Sequence, residues 1–353
     1  MKRTGRRKRI SPVNRTHRIR RNRPAKEDRP AKEDRPARGD RPAKAACRPG
    51  KAFPPNCPAG ENPGEECPST FSFWPPVELD QLLAFRDRRQ ALQRKLLADF
   101  GYPLIAFTMN IPGPVKNSPL IELAFSQGMV RLTEELGRPL ACRRLREAAG
   151  CAAFLVYDRP AAELKALCLR LEDEIPAGRL WDMDVLDSQG EKLTRPQPRR
   201  CLLCGEPAFV CSRSRRHPLP QLQERTQSLL TDLAASVLSA AAVNALLWEA
   251  RLTPKPGLVD RRNNGAHRDL NLALFEVSAR SLHDYFALAC RLGAARRDCL
   301  PQLRRAGLEA EKRMLEATGG VNTHKGAIYS FGIFLAALGS RLLRGSQVFG
   351  LAA

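Results

Sequence analysis

The sequence predicts an α+β unit over about 77–223 and an all-α unit over about 224–353, behind a disordered basic N-terminal tail spanning 1–76. Three observations predict this. Between Val77 and Leu186, leucine-rich segments of helical spacing alternate with short apolar runs of strand length. Beyond Thr226 the apolar spacing is helical throughout. Ahead of Val77 the chain is a charged, proline-spaced repeat that has no core to build.

The tail repeats RPAKED over 23–28 and 29–34, then decays through RPARGD and RPAKAA. Proline in every sixth position and dense charge leave too little apolar surface to offset chain entropy. Of the chain's 59 Lys/Arg and 37 Asp/Glu, residues 1–50 hold 19 and 5, which leaves 40 and 32 for the rest. The net charge of +22 is therefore mostly a property of the tail. A basic arm of this kind suits nucleic acid or an acidic surface, and equally a solvated extension. The tail has no apolar stretch long enough for a signal peptide or membrane span, so the expectation is a cytoplasmic protein without a membrane partner. Eleven cysteines lie scattered, without the compact spacing of a disulfide-rich secreted fold. Cys47, Cys57 and Cys67 belong to the tail, and Cys142, Cys151, Cys168, Cys290 and Cys299 sit in apolar runs as buried thiols.

In the first unit, Val77–Phe100 has helical spacing through Leu79, Leu82, Leu83, Leu92, Leu96 and Leu97. Pro103–Met109 reads as a buried strand, and three prolines with a glycine make 110–119 a loop. A helix over Leu120–Leu136, a strand over Ala152–Asp158, a helix over Ala161–Leu171 and a strand over Leu180–Leu186 follow. The alternation fits an α+β or α/β layer around a small sheet.

The last strand carries Trp181-Asp182-Met183-Asp184-Val185. Its period of two puts Asp182 and Asp184 on one face and the apolar residues on the other. Two carboxylates held this way form a platform for Mg²⁺, which moves phosphoryl and nucleotidyl groups. An edge strand with a wet acidic face has the same pattern. Asp187 is either a base or a turn residue.

Next come Cys201, Cys204, Cys211 and His217, a feasible spacing for a Cys3His zinc site. Arg199, Arg200, Arg213, Arg215 and Arg216 lie within the same 18 residues and suit a polyphosphate, in which case the cysteines only pack.

Three blocks, FTMNIPGPVKNSPL (107–120), GRLWDMDVLD (178–187) and RRCLLCGEPAFVCSRSRRH (199–217), together resemble the citrate lyase holo-acyl-carrier-protein synthases, or apo-citrate lyase phosphoribosyl-dephospho-CoA transferases. The resemblance implies a nucleotidyltransferase-like unit. A serine of the citrate lyase acyl carrier protein would attack the α-phosphorus of triphosphoribosyl-dephospho-CoA and expel pyrophosphate. Asp182 and Asp184 would hold Mg²⁺ against the triphosphate. Lys116, Asn117, Arg179, the five arginines and His217 would bind the substrate.

In the second unit a long amphipathic helix over Thr226–Arg251 stops at Thr253-Pro254-Lys255-Pro256-Gly257. The run that follows holds Asp260, Arg261, Arg262, His267, Arg268 and Asp269 with few apolar residues. A loop of this kind opening a helix at Asp269 offers backbone N–H groups to a phosphate, and Asp260 and Asp269 offer carboxylates to Mg²⁺. Helices are expected over 269–293 and 300–317, and His324 and Lys325, opening another, are candidates with Lys255 to reach the same phosphates.

TPKPGLVDRRNNGAHRDLNLALF (253–275) and GGVNTHKGAIYSFG (319–332) resemble the triphosphoribosyl-dephospho-CoA synthases, an all-helical family. Their reaction implies ATP and dephospho-CoA as substrates: a dephospho-CoA hydroxyl attacks C1′ of the ATP ribose and adenine leaves. The product is the substrate implied for the first unit. Where that family usually has a second acidic residue this sequence has Asn271, and the resemblance covers roughly the family's first half. The expectation is an incomplete all-α unit whose own activity is lost.

Two rival readings belong to other classes: a nucleic-acid-binding module using the tail and the Cys3His segment, and a scaffold that docks the acyl carrier protein without catalysis. Aromatic content of 6% and the nearly balanced charge beyond residue 50 argue against the first.

Overall fold

The computed structural model describes residues 69–295 and 298–345. The repeats, Cys47, Cys57, Cys67 and Leu351–Ala353 lie outside them. The described chain runs α1 (Thr70–Phe73), α2 (Leu79–Phe100), β1 (Leu104–Met109), α3 (Pro119–Leu136), β2 (Ala141–Glu147), β3 (Gly150–Val156), α4 (Ala161–Glu174), a 3-10 turn (Pro176–Leu180), β4 (Trp181–Leu186), α5 (Ala208–Arg213), α6 (Leu219–Arg251), α7 (Leu272–Ser281), α8 (His283–Ala295), α9 (Leu300–Ala317) and α10 (Lys325–Arg344).

The four strands form an antiparallel sheet in the order β2-β3-β1-β4. With α3 between β1 and β2, and α4 between β3 and β4, this is the split β-α-β-β-α-β arrangement of ferredoxin-like sheets. Ser118 caps α3 by accepting from the Ile121 N–H, with Pro119 in the first turn. One sheet face packs Ile105, Phe107, Leu155, Trp181 and Met183 against Phe125, Leu132, Leu164 and Leu171 of α3 and α4. Phe107 stacks on Phe125 with ring centroids 4.7 Å apart, and the Trp181 indole donates to the Ala124 carbonyl at 3.1 Å. The other face packs Leu104, Ala106, Ala152 and Phe154 with Phe85 and Leu96 of α2.

Sequence spacing misplaced several features. Residues 69–76, assigned to the disordered tail, include α1, where Thr70 N–H donates to Gln227 at 2.6 Å and Trp74 Nε1 to the Leu343 carbonyl at 3.3 Å. In α2 only the second half of the leucine stripe packs on the core: Leu96 is buried and Leu92 and Leu97 lie against the same cluster with Phe85, while Leu79, Leu82 and Leu83 are exposed. Helix α6 begins at Leu219, seven residues before the expected start, because Pro218 and Pro220 are tolerated at a helix entrance. The helix expected over 269–293 is two, α7 and α8, parted at Leu282.

The α6 helix bridges the two halves expected from sequence. Leu229, Leu230 and Ala234 pack with Ile121 and Ala124 of α3, Leu180 and Leu343. One helical stretch later, Ala242, Val243, Leu246 and Leu247 join Leu282, Phe286, Met314 and Leu335 in the core of α6–α10. Glycines let α8 and α10 touch: a Cβ on Gly293 would lie 1.8 Å from the Ala336 carbonyl oxygen. Both α6 and α10 are long and apolar enough to cross a membrane by length and composition alone, as core helices also are.

Candidate functional site

The alternation in β4 is realised. Trp181, Met183 and Val185 are buried, and Asp182 and Asp184 are part-exposed on the α2 side, opposite Thr108 and Ala106 of β1. Asp182 Oδ1 forms an ion pair with Arg199 at 3.0 Å, and Asp184 Oδ2 accepts from Lys192 at 2.6 Å. Arg89 of α2 faces both carboxylates: burial lowers its guanidinium pKa, and Asp182 and Asp184 pull it back up. Beyond Asp184 on the same face, Leu186 lines an open cleft with Gln90, Gln93 and Arg94 of α2.

A buried carboxylate organises the outer edge of β4. Glu172, only 2% exposed, takes a hydrogen bond from the Met183 N–H at 2.7 Å and pairs with Arg199 at 2.7 Å and with Arg195. Burial raises its pKa, and Arg199, the Met183 N–H and Arg195 oppose that shift. Lys165 Nζ meets the Met183 carbonyl at 3.4 Å, so side chains satisfy this edge where a fifth strand would. Gly178 makes the approach possible, since a Cβ there would lie 2.7 Å from the Glu172 carbonyl oxygen. Arg199 thus joins Asp182 to Glu172. Sequence reasoning missed Glu172, Arg89, Lys192 and Arg195.

The other predicted residues divide. Lys116 Nζ donates to the Ile111 carbonyl at 2.7 Å and closes its own loop, and burial lowers its pKa. Asn117 Nδ2 ties that loop to Glu122 and to the Glu147 carbonyl, each at 2.9 Å. Arg179 donates to the Arg200 carbonyl. Arg200, Arg213, Arg215 and Arg216 are exposed, with Arg213 lying over the Phe209 ring at 5.8 Å. Asp187 is a turn residue: Oδ1 accepts from the Gln189 and Glu191 N–H groups, both at 2.9 Å. Cys201, Cys204, Cys211 and His217 converge, with ligand atoms all within 4.8 Å of one another.

In the helical half, Asp260 is buried and accepts from the backbone N–H of Lys255 (3.0 Å), Arg262 (2.7 Å) and Asn263 (3.1 Å). These bonds hold its pKa down and make it the loop's organiser. Lys255 Nζ reaches Glu249 at 3.1 Å. Arg261, Arg262, His267, Arg268 and Asp269 are exposed. Asp269 does not open α7; Asn271 does, as the N-cap accepting from the Leu274 N–H. Lys325 pairs with Glu311 of α9 at 2.7 Å. His324 is buried, with Nδ1 2.7 Å from Ser278 Oγ and its ring edge-on to Phe275. Burial holds its pKa below the ordinary value, with Glu249 opposing. The neutral imidazole therefore contributes stability above about pH 6.5 that is lost as pH falls through that range. Urea midpoints at pH 7.5 and 5.5 should differ more in the wild type than in His324→Gln.

Comparison with known proteins places the chain in a family. Residues 77–233 match the model for apo-citrate lyase phosphoribosyl-dephospho-CoA transferase, and residues 235–351 that for ATP:dephospho-CoA triphosphoribosyl transferase. The transferase of Shigella boydii is 39% identical, over 45% of this chain and 91% of that protein. The chain belongs to the apo-citrate lyase phosphoribosyl-dephospho-CoA transferase family. It is also similar to Protein CitXG of Haemophilus influenzae (38% identical, 77% of this chain, 62% of that protein) and of Leuconostoc mesenteroides subsp. cremoris (33%, 74% and 61%). The chain thus spans about three fifths of the length of these relatives. The two family matches meet within α6, the helix that both cores share.

Asp182 and Asp184 are two part-exposed carboxylates on one strand face, hard oxygen donors of the kind Mg²⁺ takes. Arg199 and Lys192 bring positive charge to the same oxygens.

Proposed function

We propose that the chain attaches a phosphoribosyl-dephospho-CoA group to a serine of the citrate lyase acyl carrier protein, with triphosphoribosyl-dephospho-CoA as donor and pyrophosphate as the other product. Family membership supports the chemistry, and the Asp182–Arg199–Glu172 chain on β4 is the observation that carries it to particular residues. In this nucleotidyltransferase-type reaction the serine oxygen bonds to the α-phosphorus as the bond to the departing pyrophosphate oxygen breaks. The serine proton leaves to solvent or a nearby base.

Asp182 and Asp184 would hold Mg²⁺, whose charge stabilises the triphosphate oxygens. Arg199 pairs with Asp182 and is itself anchored by the buried Glu172. Lys192 pairs with Asp184 at 2.6 Å. The exposed Arg200, Arg213, Arg215 and Arg216 supply positive charge for the phosphates from the 199–217 segment.

The helical half is proposed to bind ATP and dephospho-CoA and form the donor, with Lys255 and the loop held by Asp260 at its phosphate end. Intact mass spectrometry of apo acyl carrier protein tests both halves. One reaction receives the full chain, Mg²⁺ and preformed triphosphoribosyl-dephospho-CoA; a second receives ATP and dephospho-CoA instead. A prosthetic-group mass in the first supports the transferase. The same mass in the second shows that the helical half works in this chain, against the loss expected from sequence. No shift in either, with folded protein, turns the reading to an acyl-carrier-protein scaffold.

A further inference from the structure

The 199–217 segment holds a cluster whose three thiols have no role in the transfer chemistry. Cys204 Sγ lies 3.4 Å from Cys211 Sγ and 3.2 Å from His217 Nε2, and the Leu203 N–H points at Cys201 Sγ at 3.5 Å. All four candidate ligand atoms lie within 4.8 Å of one another. Ligands about 2.0–2.3 Å from a tetrahedral zinc ion sit about 3.5–3.8 Å apart, so the cluster needs only small side-chain adjustments to enclose one. It is the one group of three or more such side chains found among the described residues.

We propose that Cys201, Cys204, Cys211 and His217 bind one structural zinc ion that folds the 199–217 arch. All four lie beyond the sheet: Cys201 and Cys204 in the loop after Arg200, Cys211 in α5, which buries it, and His217 in the segment leading into α6. Three sulfur ligands and one imidazole in a tetrahedron select zinc over hard cations such as Mg²⁺. Three thiolates and a neutral imidazole around Zn²⁺ leave one net negative charge, and Arg213, Arg215 and Arg216 lie close by in sequence to offset it. Loading releases the protons of any thiols still protonated.

The arch needs such a clamp. Its backbone is tied by the Cys201 N–H to Glu206 and the Ala208 N–H to Arg199, while Leu203, Phe209 and Val210 remain exposed. A segment with so little buried apolar surface gains most of its stability from a metal. Its first residue is Arg199, the partner of Asp182 and Glu172, so the ion also anchors the chain leading into that contact.

The full chain, purified with reductant and without chelator, should carry about one zinc by elemental mass spectrometry, falling below about 0.2 in Cys204→Ser and Cys211→Ser and unchanged in Cys142→Ser. Should the serine variants fail to fold, wild-type protein stripped of metal and reloaded with Co²⁺ should show the visible absorption of tetrahedral thiolate-bound cobalt. Stripping should also speed trypsin cleavage at Arg213, Arg215 and Arg216. Zinc-free protein that gives no cobalt spectrum after reduction overturns the proposal, as does a Cys204–Cys211 disulfide that persists in reductant. The metal count does not depend on transferase activity, so the two readings fail separately.

Discussion

Asp182→Asn lowers the rate of carrier-protein modification by about 10³-fold while the protein stays folded. The substitution keeps the side chain's shape and removes the charge on which both proposed roles depend, metal ligation and pairing with Arg199. A loss of that size corresponds to about 4 kcal/mol of transition-state stabilisation, in the range for a group that meets developing charge directly. Stability should change by no more than about 1 kcal/mol, because Asp182 is 40% exposed and Arg199 retains Glu172. Single-turnover rates at saturating donor, read beside urea unfolding, separate the two effects. A rate within threefold of wild type would remove Asp182 from the reaction.

Glu172→Ala has the largest expected effect on stability, about 3 kcal/mol. Truncation leaves Arg195 and Arg199, each about one-fifth exposed, without their buried counter-charge. It also leaves the Met183 N–H on the outer edge of β4 without its acceptor. Glu172→Gln should cost less, since an amide oxygen still accepts from Met183. In urea, Glu172→Ala should unfold well before Glu172→Gln, with equal slopes if both denature as one unit. Equal midpoints would mean that the edge of β4 is held by Lys165 and the Leu193-to-Val185 hydrogen bond instead.

The legibility of this chain follows the physics of each element. Asp182 and Asp184 stood out because a strand's period of two separates them from Trp181, Met183 and Val185 in the sequence itself. Glu172 carried no such mark. It lies in Leu171-Glu172-Asp173-Glu174, which reads as the wet end of an amphipathic helix, and only the fold of the following 3-10 turn buries it. Arg89 was hidden in the same way within a charged run of α2.

Strand β2 gave no apolar signal. Ala141–Glu147 contains three arginines because it is an edge strand whose polar side chains face water, a pattern shared with exposed helices and loops. The Cys3His spacing was visible, but spacing cannot say whether four side chains share one centre; the folded arch supplies that. His324 and Lys325 are adjacent in sequence, and the helix they open turns them apart, one into the core beside Ser278 and one toward Glu311. The helix expected to open at Asp269 starts after Asn271 instead, where extended backbone places the side chain that caps α7.

Displacement at the α-phosphorus fixes a stoichiometry: each carrier-protein serine modified releases one pyrophosphate. Intact mass and pyrophosphate should be measured together in a single reaction of the full chain, apo acyl carrier protein and triphosphoribosyl-dephospho-CoA. Expected is one pyrophosphate per prosthetic group added, with both products formed about 10³-fold more slowly by the Asp182→Asn protein. Pyrophosphate without added mass, or added mass without pyrophosphate, would contradict displacement at the α-phosphorus.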